Sequence, residues 1–379
     1  MAKLKQLYFW LLFAFCAVFF FTNDFGIVEI QKTAIVLGVG IDRNGEGFSI
    51  TAQLAVPQKS EQKNSTDSVE VSGVGQTVGE ALTAINSTTG WHPTLSFCNL
   101  VVLGESAVEG EIYAGLEYFF RNENVPDYAL VATCEGSAKE FLSSKTPTAD
   151  MSTFAVEKIL SSEAKRSGVV LPLSLREFSI DYFTERGGYL PIIVKKEQEK
   201  GQGSKQTNEQ GAQETEYLFD ATKTALFSRG QKKGELSPMQ TLTLGIMKNN
   251  VRIAAFPVTQ NGIGYTLGVR RAKTSFSVEQ GKRIKVKISL SASAIMLDSD
   301  ASHTVDDISK TELVEAPVLT EAERAITEQI SALIDETRRT DCDFFGIKNL
   351  VHKKFPRTDT GEGFLNEIDF SVSVKLKNP

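Results

Sequence analysis

Apolar residues change their spacing several times along the chain, and this alternation limits the fold more than any other feature. Residues 34–41 form an apolar run, residues 42–47 are typical of a turn, and apolar and polar residues then alternate from Phe48 to Leu54. A spacing of two is typical of a strand with one buried face, so the stretch predicts a β-hairpin.

A helical spacing follows the hairpin. Thr77 and Glu80 have the spacing of a capping box at a helix N-terminus. The apolar residues after Thr77 share one helical face: Val78, Ala81, Leu82 and Ile85. Similar patterns predict strands at 95–103, 128–134, 218–228, 251–260, 284–296 and 368–376, and helices at 110–121, from 137, at 151–162, 238–248 and 320–339. Shorter strand-like pieces lie around Ser179 and Leu190. The predicted fold class is α+β, with mixed and antiparallel sheets packed against helices.

The chain begins with Lys3 and Lys5 ahead of a charge-free apolar run over residues 7–21. This start predicts one N-terminal membrane helix whose positive end stays in the cytoplasm, with a multi-domain ectodomain outside. No small residues stand where a signal peptidase would cut, which favours a retained anchor over a cleaved signal. Lipidation at Cys16 is a third alternative, but Phe15 precedes the cysteine and more apolar residues follow, so we expect no lipid there.

Residues 195–216 contain no aromatic or large aliphatic side chain, so they have too little apolar surface to order themselves. We predict a linker or mobile loop there. The predicted organisation is an anchor over residues 1–24, an α+β domain over 25–145, a small middle α+β region over 146–194, the linker over 195–216 and a C-terminal α+β domain over 217–379.

Composition excludes several classes of protein. A net charge of −6, with no stripe of Lys and Arg, argues against nucleic acid as a partner. The cysteines have no close pair and predict no disulfide framework: Cys16, Cys98, Cys134 and Cys342. The histidines stand singly and predict neither a metal site nor a triad: His92, His303 and His352.

Three short motifs resemble reactive sites and are better explained as part of a hairpin, the start or cap of a turn, and a solvated loop. Residues 38–40, Gly-Val-Gly, lack the following helix that a phosphate loop needs. Ser106 lacks the second glycine of a nucleophile elbow. Asp298 and Asp300 have calcium-loop spacing, but His303 stands where the loop needs glycine. We therefore predict no catalytic, cofactor-binding or metal-binding residue.

Five separate stretches together carry a resemblance to one family. They are residues 29–42 (EIQKTAIVLGVGID), residues 75–81 (GQTVGEA), residues 95–104 before Glu105, the pair Phe119 and Arg121, and residues 343–346 (DFFG) with Pro356. Their order and spacing resemble the Ger(x)C family, the C subunits of the nutrient germinant receptors of endospore-forming bacteria. The resemblance covers residues 28–376.

The resemblance implies a non-enzymatic α+β subunit that assembles with integral-membrane A- and B-type receptor subunits. Its ectodomain would face outward from the spore inner membrane, and a small nutrient germinant would act on it indirectly. The family is typically lipidated at a cysteine just before the Glu29-Ile30 pair, whereas residues 22–25 contain none. We therefore expect the N-terminal helix to replace the lipid.

By resemblance, two surfaces are candidates for binding: the hairpin segment from Gly38 to Asp42 and the turn from Asp341 to Gly346. A turn by itself requires Gly and Asp at such places, so these residues can be explained without a binding role. Two other functions stay open. One is an anchored solute-binding module that holds a ligand between its domains, and the other is a surface hydrolase with an unrecognised pair of carboxylates.

Overall fold

The structure is a computed structural model, and it describes residues 2–21, 33–55, 68–90, 92–185, 187–197, 216–248, 251–300 and 313–379. The strands are β1 (Thr33–Asn44), β2 (Gly47–Ala55), β3 (Ser68–Gly75), β4 (His92–Thr94), β5 (Leu100–Leu103), β6 (Leu130–Cys134), β7 (Leu173–Ser174), β8 (Gly187–Glu197), β9 (Tyr217–Ser228), β10 (Gln231–Leu236), β11 (Ala254–Gln260), β12 (Ile263–Gln280), β13 (Ile284–Ser299) and β14 (Asp369–Lys377).

The helices are α1 (Ala2–Phe21), α2 (Val78–Thr89), α3 (Glu105–Val108), α4 (Ile112–Arg121), α5 (Ala138–Leu142), α6 (Ser152–Ile159), α7 (Ser162–Ser167), α8 (Leu175–Glu185), α9 (Pro238–Met247), α10 (Ala316–Thr340) and α11 (Ile347–Lys354). A short 3-10 helix spans Phe364–Glu367. Two sheets packed with helices give a mixed α+β fold, which confirms that part of the predicted fold class.

The first sheet has the strand order β10-β9-β8-β6-β5-β1-β2-β3, with β4 beside β1 and β7 beside β6. Its centre is parallel from β8 through β6 and β5 to β1, and antiparallel strands complete both edges. The central strand β5 reads Leu-Val-Val-Leu and is buried throughout. Leu100 and Val102 face a core with α5 and α6, whereas Val101 and Leu103 face the larger core with α2 and α4. A strand covered on both faces reads as a continuous apolar run.

The second sheet has the order β11-β12-β13-β14. The pairs β11–β12 and β12–β13 are antiparallel, and β13–β14 is parallel. Apolar residues of α10, including Ile326, Ile330 and Leu333, share a core with Val286 and Ile288 of β13. The predicted long helix against a mostly antiparallel sheet is therefore present.

The first sheet continues on both sides of the predicted linker. Strands β8 and β9 pair antiparallel from Gly187↔Ser228 to Glu197↔Tyr217. Residues 198–215 lie outside the described residues. The predicted boundary at 216/217 thus falls between two neighbouring strands of one sheet, and β9 and β10 pack with the N-terminal elements.

Two local predictions were wrong. The strand-like piece around Ser179 is helix α8, because Phe178 and Leu175 pack into the core from one helical face. The predicted capping box at Thr320 lies inside α10, which begins four residues earlier with Pro in its first turn. The Thr320 hydroxyl instead donates to the Ala316 carbonyl within the helix, at 3.0 Å.

The N-terminal apolar run forms the 20-residue helix α1. Among the residues described here, no helix is both long enough and apolar enough to cross a membrane. Large apolar side chains of α1 are nevertheless 59–68% exposed: Tyr8, Phe9, Trp10, Leu11, Leu12, Phe13 and Phe15.

Candidate functional site

The hairpin segment from Gly38 to Asp42 lies in the middle of the first sheet, beneath α5 and α6. A Cβ atom at Gly38 would overlap the hydroxyl of Thr153, and one at Gly40 would lie 3.0 Å from the Cβ of Ala138. Glycine at both positions therefore lets the two helices approach the strand. The segment is a packing surface between a strand and two helices.

Asp42 ends this segment, and its side chain is buried. One carboxylate oxygen, Oδ1, accepts the Ala138 N–H at 2.9 Å, and Oδ2 accepts the Ser137 hydroxyl at 2.9 Å and the Lys139 N–H at 3.1 Å. These groups form the N-terminus of α5, where unpaired N–H groups and the helix dipole favour an anion. Gly104 leaves the space for this carboxylate, because a Cβ there would overlap Asp42 Oδ1.

The second candidate, the turn from Asp341 to Gly346, also contains an aspartate that accepts N–H groups at the start of a helix. Asp341 has the left-handed φ of 49°, and it ends α10. The buried Asp343 accepts the Ile347 N–H at 2.9 Å and the Lys348 N–H at 2.6 Å, at the start of α11. Burial raises the pKa of Asp343, and the N–H donors and the Lys348 ammonium act in the opposite direction.

This turn also joins the C-terminal helices to the first sheet. The Cys342 thiol donates to the Gly188 carbonyl of β8 at 3.3 Å, and the Ser228 hydroxyl of β9 donates to the Asp341 carbonyl at 3.1 Å. Arg229, just after β9, forms an ion pair with Glu362. The turn is therefore a joint between two parts of the fold.

The motifs interpreted as turns have structural partners. The Ser106 hydroxyl accepts the Arg43 N–H at 3.0 Å, and Asp300 accepts the Gly264 N–H at 2.8 Å beside β12. His303 lies outside the described residues. Within the described part of the chain, no group of three or more His, Cys, Asp and Glu side chains could hold a metal ion.

The cysteines beyond α1 are free thiols in the core: Cys98, Cys134 and Cys342. Burial raises the pKa of each thiol to about 12. They stay protonated at neutral pH and are unreactive, because the thiolate is the nucleophile. Cys16 is exposed on α1.

One recess brings opposite charges together. It has a volume of about 250 Å³ and lies among α8, β8 and α9. The Lys248 ammonium lies 4.8 Å from the centre of the Tyr189 ring. The Lys165 ammonium lies 3.5 Å from a Glu177 oxygen. Half-buried Asp181 also lines the recess, and burial raises its pKa. The sequence gives no signal for this recess, since its charged residues come from separate elements without a motif.

Family models match both halves of the chain and define its class as a spore germination protein. The model described as "Spore germination protein N-terminal domain" matches residues 26–195. The model described as "Spore germination B3/ GerAC like, C-terminal" matches residues 222–378. The chain belongs to the Ger(x)C family of spore germination proteins, which confirms the resemblance seen in the sequence.

A solved structure supports the same fold. The crystal structure of the GerBC protein matches with a TM-score of 0.53 at 16% identity, over 90% of this chain and 96% of that chain. No curated protein matches the sequence. The family is one of germinant receptor subunits and is not a known enzyme family.

Replacing Asp42 by Ala should destabilise the fold, because it removes the acceptor of three hydrogen bonds and leaves the buried Ala138 N–H without a partner. We expect the free energy of unfolding to fall by about 2–4 kcal/mol, from the lost cap and the unpaired N–H group. Urea unfolding of the full chain in detergent, followed by circular dichroism, measures this loss.

Asp359→Ala is the matched control. Asp359 is exposed and accepts the Gly361 N–H at 3.0 Å in a loop. Its loss should cost about 0.5 kcal/mol or less, as for most exposed substitutions. Equal losses in the two variants would contradict the role given to Asp42.

Proposed function

We propose that this chain is the C-type subunit of a nutrient germinant receptor and acts by association, with no reaction of its own. The observation that carries the proposal is the match of both family models, over residues 26–195 and 222–378. Internal contacts support a role without chemistry, since Asp42 and Asp343 are occupied as helix caps. The proposed partners are the integral-membrane A- and B-type subunits, and a nutrient would act through them.

Deletion of the gene should abolish or strongly delay germination in response to the cognate nutrient, and the wild-type gene should restore it. Loss of optical density after nutrient addition measures germination. A trigger that bypasses nutrient receptors is the control and should act equally on deletion and wild-type spores. Capture of the tagged chain from spore membranes should also recover multi-span partner subunits. Normal nutrient germination in the deletion strain would contradict the proposed role.

We further propose that α1 attaches the chain to the spore inner membrane, with the remaining residues outside the cytoplasm. The exposed apolar side chains from Tyr8 to Phe15 support attachment, because burial in lipid would remove them from water. Lys3 and Lys5 precede them, which supports the orientation.

Alkaline extraction of membranes tests this attachment. The full chain should stay in the membrane pellet, and a variant without residues 2–21 should move to the supernatant. Cys16→Ser is the control for lipidation and should stay in the pellet, because the apolar surface of α1 is unchanged. Release of Cys16→Ser, or retention of the truncated chain, would contradict attachment by α1 itself.

The charged recess favours a second candidate function, a solute-binding module. Asp181 and Lys248 could pair with the two charges of a small zwitterion in a volume of about 250 Å³. Calorimetry of the full chain against mixtures of small nutrients should then give heat that Asp181→Asn removes. Glu163→Gln is the control, because Glu163 is exposed and pairs with Arg166 on α7. The absence of heat from every mixture would rule out this function.

A further inference from the structure

One face of the second sheet is covered by α10, and the opposite face has an unusual composition. Its side chains come from three neighbouring strands, β12, β13 and β14, in five paired rows. The rows are Arg270–Ser293–Lys377, Lys273–Ser291–Lys375, Ser275–Ser289–Ser373, Ser277–Lys287–Ser371 and Glu279–Lys285–Asp369. We name these residues the basic sheet face. Strand spacing and rise make it roughly 10 Å wide and 27 Å long.

Cations dominate the basic sheet face. It has six basic side chains and two acidic ones, Glu279 and Asp369, although the whole chain has a net charge of −6. The five lysines are all exposed. Within the described part of the chain, none of the basic side chains of this face is in a salt bridge. Positive charge is therefore concentrated on one flat surface of an acidic protein.

An aliphatic patch continues the basic sheet face at the Arg270 end. A Cβ atom at Gly268 would lie 2.9 Å from Ile295, 3.0 Å from Ile253 and 3.1 Å from Leu297. Ile253 is 38% exposed and Leu297 is 46% exposed. Ile295 and Ser293 are two residues apart in β13, so both side chains point to the same face. Cations and exposed aliphatic side chains thus lie side by side.

Protection of a sheet edge explains only part of this pattern. Lysines on an edge strand prevent pairing with another chain, which accounts for Lys375 and Lys377 on β14. Lys285 and Lys287 lie on β13, between two partners, where no edge is exposed. Ordinary solubility also fails to explain why acidic side chains, more numerous in the chain as a whole, are rare here.

We propose that the basic sheet face docks on an anionic lipid surface. Lysine stems lie along apolar surface while their ammonium groups reach lipid phosphates. The aliphatic patch would enter the headgroup region, and the serine hydroxyls would donate to phosphate oxygens. Cations spread over five rows of strands, with exposed aliphatic side chains beside them, match the spread phosphates and the apolar interior of a bilayer. The inference goes beyond the receptor role, since docking needs neither partner subunits nor a germinant.

Nitroxide accessibility in vesicles tests docking with the full chain. One label is placed by Ser291→Cys, at the centre of the second row, and a second label by Ser331→Cys on the exposed side of α10. Cys16→Ser forms the background, because the other cysteines are buried. The protein is incorporated into vesicles of phosphatidylcholine alone or with phosphatidylglycerol. Collisions with a water-soluble relaxant report whether each label faces water.

In anionic vesicles the label at position 291 should lose contact with the aqueous relaxant, while the label at 331 keeps it. In neutral vesicles both labels should stay accessible. Each of Lys273→Gln and Lys375→Gln should lower the ratio of docked to free label about fivefold, which corresponds to about 1 kcal/mol per charge near an anionic bilayer. Raised salt should also lower the ratio of docked to free label, because it screens the cations.

The double variant Lys139→Gln with Lys233→Gln is the matched control. Both lysines are exposed and lie away from the second sheet, on α5 and on β10 of the first sheet. This control should leave docking unchanged. Equal accessibility at position 291 in anionic and neutral vesicles would overturn the proposal. So would equal shielding of both labels, or shielding that needs an added acidic protein. None of these results bears on the receptor role, which the germination phenotype tests separately.

Discussion

The fold depends on buried aspartates that cap the starts of short helices. Asp42 reaches from β1 to the first N–H groups of α5, a helix of only five residues. Such a helix is too short to form alone, since nucleation costs more than its few hydrogen bonds return. The carboxylate and the Ser137 hydroxyl that donates to it fix where α5 begins, and α5 covers Gly40 on the same strand. Strand β1, helix α5 and Gly104 therefore meet at the Asp42 side chain.

Asp343 caps a second short helix, but locally, from four residues before its first residue. It caps α11, and the neighbouring Cys342 and Asp341 contact β8 and β9. Two of the five stretches that carry the family resemblance thus hold elements of the first sheet in place and join the C-terminal helices to it. These stretches indicate the fold and the family. They do not mark an interaction surface, which exposed residues must provide.

Local spacing predicted much of this fold. The capping box at Thr77 is present, with the Thr77 hydroxyl accepting the Glu80 N–H at 3.1 Å. The alternation of apolar and polar residues was also sufficient to predict β13 and β14. In contrast, β12 was missed although it has 18 residues. Its register shifts between Arg270 and Lys273, so the residues on either side do not keep one period. Helix α8 was misread because packing against β8, and not intrinsic propensity, decides its conformation.

The candidate site was less predictable than the fold. The resemblance offered the segments 38–42 and 341–346 as candidate binding surfaces, but α5 and α6 cover Gly38 and Gly40, and the side chains of Asp42 and Asp343 are buried. Sequence spacing reports neighbours along one element, whereas a cap such as Asp42 to Ala138 joins residues 96 positions apart. The recess with Asp181 and Lys248 is also formed by residues that are far apart in the sequence. Only the complete topology brings such residues together.

Charge is distributed unevenly across the second sheet. On the exposed side of α10, acidic side chains pair with arginines, as in Arg324–Glu328 and Arg338–Asp335, whereas the opposite face carries six cations. Near an anionic surface, the basic sheet face would be attracted more strongly than the α10 side, so one orientation of the sheet would have the lower free energy. An acidic chain can therefore approach such a surface in a defined orientation. Under the receptor role proposed above, a fixed orientation is what contacts with membrane partners would require.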